Sequence, residues 1–160
     1  MKLPSPFRPH CLRLLPGMAL LLSCASAASA LTVDVAVTPE YLREHRKTLS
    51  LKVARRPDGL LAFTVTRALP ERRYFVARLL LRREGKTVVE TSIPSYGRKD
   101  ANSFFFALPP ESLAQAEFEL GESGVVGPAE DPVPLPGTIN YQFRLRDHVP
   151  QVLTKRLTVK

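Results

Sequence analysis

Chemistry in a chain of this size would have to come from a few titratable or nucleophilic side chains, and here they are sparse. His45 sits beside Glu44 and His148 follows Asp147, about a hundred positions apart. A metal site needs several His, Cys, Asp or Glu donors converging on one ion, so both read as solvated loop histidines. Glu117 and Glu119 alternate with apolar residues, which puts both on a hydrated face with nothing to push their pKa values apart for acid and base work. Glu130-Asp131 lies among prolines and lacks the spaced carboxylates of a calcium loop. Ser95 stands between Pro94 and Tyr96 rather than in a G-x-S-x-G elbow. Gly121, Gly124 and Gly127 occur without the lysine of a phosphate loop. The expectation is a protein without catalysis, cofactor or metal; a small hydrolase using Ser95 is the enzymatic alternative.

Binding has better candidates. The segment Pro94 to Asn102 (PSYGRKDAN) reads as a loop carrying Tyr96, Arg98 and Lys99. An aromatic flanked by cations can stack on a sugar or meet an anionic partner; equally, the tyrosine can cap the core. A second set, Arg67, Arg72, Arg73, Arg78, Arg82, Arg83 and Lys86, falls on outward positions around residues 74–83. It would suit an anionic glycan or lipid head group if clustered, or guard strand edges against aggregation. The third candidate is the acidic, Pro- and Gly-rich stretch Gly121 to Gly137, whose apolar pair Val125-Val126 could dock on a partner or fold back.

The elements that position these residues begin after a leader. Lys2, Arg8 and Arg13 precede the apolar Leu14 to Ser23, and small residues follow from Cys24 to Ala30. That order reads as an export signal, residues 1–30, cut after Ala28-Ser29-Ala30. Leu21-Leu22-Ser23-Cys24 resembles a bacterial lipobox, so lipidation at Cys24 is the alternative. Both cysteines, Cys11 and Cys24, lie in this leader. A chain beginning at Leu31 therefore has no disulfide and must hold together by packing, for which about 130 residues suffice.

Residues 31–160 are expected to form a single domain dominated by period-2 alternation. Val33, Val35 and Val37 begin it, and Leu49, Leu51 and Val53 form a hairpin with Leu61, Phe63 and Val65 across Arg56-Pro57-Asp58-Gly59. Phe75 to Leu81 forms another with Thr87 to Ile93 across Glu84-Gly85-Lys86. Phe104, Phe106 and Leu108 follow, with Phe105 on the opposite face; then come Ala116 to Leu120, Ile139 to Leu145 and 151–159. Short helical turns are expected from Thr38 to His45 and at Leu113 to Gln115. About nine short strands spaced this way give an all-β fold, a two-sheet antiparallel β-sandwich, with a closed barrel as runner-up.

Leu135-Pro136-Gly137-Thr138 followed by Tyr141-x-Phe143-x-Leu145 resembles the tyrosine-corner stretch of immunoglobulin-like and fibronectin type III domains. The resemblance implies a sandwich with Tyr141 as the corner residue and 151–159 as its last strand. It implies no activity.

Charge is uneven along the chain. There are 23 Lys and Arg against 15 Asp and Glu, and the leader removes three of the basic ones. Residues 101–143 contain no Lys or Arg but six acidic residues. The functional expectation is an exported, secreted or periplasmic protein with a binding or structural role in a bacterial envelope. Its partner would be another envelope protein, itself, or an anionic glycan; nucleic acid is disfavoured, and membrane attachment would require Cys24 lipidation. A glycan-binding module using Tyr96, Arg98 and Lys99 is the alternative.

Overall fold

A computed structural model describes residues 31–69, 72–98, 100–127 and 133–154. Residues 1–30, the expected export signal, and Cys24 within them lie outside these residues. In chain order the elements are β1 (Thr32–Val37), α1 (Pro39–Glu44), β2 (Leu49–Arg55), β3 (Leu61–Ala68), β4 (Arg73–Arg83) and β5 (Lys86–Ile93). They continue with β6 (Ser95–Arg98), β7 (Ala101–Leu108), β8 (Ala116–Val126), β9 (Val133–Pro134), β10 (Thr138–Arg144) and α2 (Gln151–Thr154).

The first sheet runs β1-β10-β8-β4-β5, with β9 paired to β8; the second runs β2-β3-β7-β6. Every pairing is antiparallel except β1 with β10, which run parallel from Thr32↔Thr138 to Val37↔Phe143. The two inner faces meet through phenylalanines. Phe118 of the first sheet stacks on Phe106 of the second at 5.0 Å between ring centroids and meets Phe104 at 6.2 Å. Phe143 approaches Phe118 edge-on at 5.5 Å, and Phe63 stacks on Phe106 at 5.1 Å. With Leu49, Leu61, Val65 and Leu120 these rings form one buried core. The expected sandwich is the fold.

Local chemistry explains the elements. The two hairpins form as the alternation requires, with Leu51↔Val65 and Leu79↔Thr91 in register. Glu84 and Gly85 both have positive φ, at 51° and 76°, the backbone of a tight two-residue turn whose twist matches the strands. The helical turn after Thr38 is α1: the Thr38 hydroxyl accepts from the Tyr41 amide at 3.2 Å, and Pro39 occupies the first turn. Pro110–Gln115 forms the short turn expected near Leu113, with 3-10 geometry.

Several expectations are corrected. Ten strands form among the described residues, because the expected loop at 94–102 folds into β6, which pairs Ser95↔Phe104 through Arg98↔Ala101. The expected loop at 121–137 also extends β8 to Val126, where Val125↔Pro134 and Val126↔Val133 fold the chain back. Position 151 starts no strand: Leu145–His148 is a 3-10 turn and Gln151–Thr154 a helical turn, so β10 is the last strand among the described residues, and 155–160 lie outside them. Pro150 supplies no amide donor for a ladder and suits a helix start. Leu80, in register with Glu117 and Glu90, is buried outside the main core cluster, and β4 shifts register against β5 just beyond it, between Leu81 and Arg82.

Candidate binding face

The charged residues sort by sheet. Strand β4, which is basic, lies beside β8, which is acidic, so Arg78↔Glu119 and Leu80↔Glu117 are neighbours across the ladder. Arg78 reaches Glu119 at 3.2 Å and Glu90 at 3.3 Å, and Arg82 bonds Glu117 while lying 3.7 Å from Glu119. The expectation that Glu117 and Glu119 stand hydrated is therefore corrected. Glu119 is only 8% exposed, because neighbouring arginines cover it. Arg78 and Arg82, singled out as possible contacts, spend their charge on the chain's own carboxylates.

Inside, a polar tie joins the two sheets. Arg67 of β3 donates through Nε to Glu122 of β8 at 2.7 Å, through Nη2 to the Tyr141 hydroxyl at 3.0 Å and through Nη1 to the Thr48 carbonyl at 3.3 Å. The guanidinium also lies over the Tyr141 ring, 5.1 Å from its centroid. Tyr141 is thus not the corner residue of the resemblance: its hydroxyl meets an arginine side chain rather than nearby backbone. Burial, and next the Glu122 charge, push its phenol pKa up.

The histidines part company with expectation as well. His148 is half-buried against Phe143, with Nε2 donating to the Val37 carbonyl at 2.9 Å, and burial holds its pKa below the ordinary value. His45 is exposed as expected, though its ring stacks on Tyr41 at 4.0 Å. Among the described residues, no group of three or more His, Cys, Asp or Glu could hold a metal ion.

The outer face of the second sheet is built differently. Its core-facing residues, Leu61, Phe63 and Val65 on β3 and Phe104 and Phe106 on β7, leave Ala62, Thr64, Thr66, Ser103 and Ala107 facing outward. From this floor of small side chains rise Phe105, 50% exposed, and Tyr96, 58% exposed, packed edge-to-face at 5.4 Å. The Thr66 and Ser103 hydroxyls lie 3.1 Å apart on the same face. Exposed Lys52 of β2 shares a cross-strand row with Thr64 and Phe105 and carries no ion pair among the described residues. None of the four strands contains Asp or Glu.

Of the sequence candidates, Tyr96 belongs to this face, and Arg98 ends β6 in register with Ala101. Lys99 and Cys24 lie outside the described residues. Val125 and Val126 sit apart, at the far end of β8 in the first sheet, the latter 50% exposed. Sequence reasoning missed Phe105 as a site residue, although its outward phase in an otherwise core-bound run was the available signal.

No protein-family model and no curated protein matches the chain. A solved structure titled "Crystal structure of MHC-like MILL2" is similar over 61% of this chain at 16% identity, with a TM-score of 0.29. This chain covers 44% of the length of that one. At that score the likeness carries no argument; the chain stands as an all-β sandwich on the strength of its own two sheets.

Proposed function

We propose that this chain is an exported, non-catalytic β-sandwich that works by binding, with the outer face of the second sheet as its binding surface. The observation that carries the reading is the Tyr96–Phe105 pair. Two large aromatic rings stand half-exposed side by side, although burying the rest of each would gain about 1 kcal/mol. The register Tyr96↔Ser103 and Thr64↔Phe105 puts both rings in the outward phase, which supports a contact role over a core-capping one. A contiguous exposed patch of this kind is characteristic of interaction sites.

The acidic β8, by contrast, supports a partner poorly, since its carboxylates are occupied within the fold. The glycan-binding alternative gains from the hydroxyls beside the rings. Wild type and a Tyr96→Ala/Phe105→Ala double variant should be compared on a polysaccharide array and for self-association by light scattering. Whatever the wild type retains, or its self-assembly, should be lost in the double variant with the thermal melt unchanged. A ligand still held by the double variant would place the surface elsewhere. Mass spectrometry of the mature amino terminus should find Leu31; an acylated Cys24 would replace free export with lipid anchoring.

A further inference from the structure

We infer that the outer face of the second sheet takes an acidic polysaccharide, a chain of sugar rings bearing carboxylates. This rests on the reading of that face as the binding surface and adds the chemistry of the ligand. Shape argues for a sugar over a protein. Protein interfaces concentrate their energy where an anchor side chain fills a pocket, and the floor of Ala62, Thr64, Thr66, Ser103 and Ala107 offers short side chains along a strand surface. A sugar ring instead presents a flat C–H face that stacks on Tyr96 or Phe105, with hydroxyls at its rim. Thr66 and Ser103 bond each other at 3.1 Å, and each hydroxyl keeps acceptor capacity for a sugar hydroxyl.

Charge argues for an acidic one. The four strands hold no carboxylate, and of their cations Lys52 stands in the outward row, while Arg55 and Arg67 pair with buried Leu61 and Leu49. Arg67 faces inward and is satisfied by Glu122, whereas Lys52 is exposed and unpaired. Such a face repels no anion and offers a carboxylate its counter-charge. Extent argues for a polymer. Lys52 and Phe105 flank Thr64 in one row, two strand spacings apart, about 9–10 Å. A ligand that meets both the cation and the rings spans more than one sugar. Single-stranded nucleic acid also stacks on aromatic rings, but it needs a basic groove tracking many phosphates, and the described outer face presents Lys52.

The test is calorimetric titration of the exported chain with polygalacturonate, alginate and hyaluronate, with methyl-esterified polygalacturonate and poly-dT as comparisons. It should be run at low and high salt for wild type, Tyr96→Ala, Phe105→Ala and Lys52→Ala. At least one acidic polysaccharide should bind, and more weakly as salt rises. Each aromatic variant should bind it roughly tenfold more weakly, the size of one stacking contact. Lys52→Ala should lower the salt dependence. Equal binding of polygalacturonate and its ester, or tighter binding of poly-dT, overturns the acidic ligand while leaving the face in place. Binding of none of the three acidic probes also overturns the inference. Acidic-polysaccharide binding unchanged in both aromatic variants overturns the inference and the reading of the face together.

Discussion

The two outer faces of this sandwich handle charge in opposite ways. On the first sheet, β4 brings Arg78 and Arg82 against Glu119 and Glu117 of β8, so basic and acidic strands cancel side by side. On the second, no strand carries an acid, and the exposed features are Lys52 and two aromatic rings. The carboxylates of β8 are spent internally, and the outer face of the second sheet is the one with little charge. Exposure of unpaired chemistry, rather than density of charge, distinguishes the candidate site.

Substitutions can break or sharpen this contrast. The largest loss is expected where both sheets share one residue: Phe118→Ala should destabilise by about 3–5 kcal/mol in urea unfolding, because the ring is fully buried among Phe104, Phe106 and Phe143. Glu122→Ala should cost about 3 kcal/mol by leaving Arg67 buried without its counter-charge. An Arg67→Met/Glu122→Leu double variant should recover much of that loss; an unrecovered double variant would show that the pair contributes more than the mutual cancellation of two buried charges. Arg82→Ala on the first outer face should cost less than about 1 kcal/mol, as exposed pairs do. Tyr96→Ala should change stability by no more than about 0.5 kcal/mol while weakening binding roughly tenfold. A large loss of stability there would return Tyr96 to a structural role.

pH supplies a further probe, on the core rather than on either face. Burial lowers the His148 pKa in the folded chain, so the unfolded chain binds the proton more readily. Between the lowered folded value and the ordinary 6.5 the unfolded state therefore holds more protons, and stability rises with pH across that window. Urea midpoints should fall as the solution is acidified through 6.5, and His148→Gln should flatten that slope.

Alternation made the strands legible because a residue's phase against water is a local property. Leu61, Phe63 and Val65 announce a buried face wherever their strand ends up. Phe105 was legible too, as the ring out of phase with Phe104 and Phe106. The segments at Tyr96 and Val125 were harder to read as strands, because β6 (SYGR) and β9 (VP) are short and lack apolar alternation, although their partners lie only a few positions away. His148 was misread for another reason: its burial comes from Val37 and Phe143, and nothing in the neighbouring residues signals them.

By itself, then, the order of residues determined the class of fold, the hairpins and the cap at Thr38, since each depends on neighbours within a few positions. Tertiary structure alone decided that β4 would lie against β8 and neutralise it, that Arg67 would cross the core to Glu122, and that Tyr96 would stand beside Phe105. Those outcomes depend on which strands become neighbours, and strand order is settled by the packing of two whole sheets rather than by any one segment.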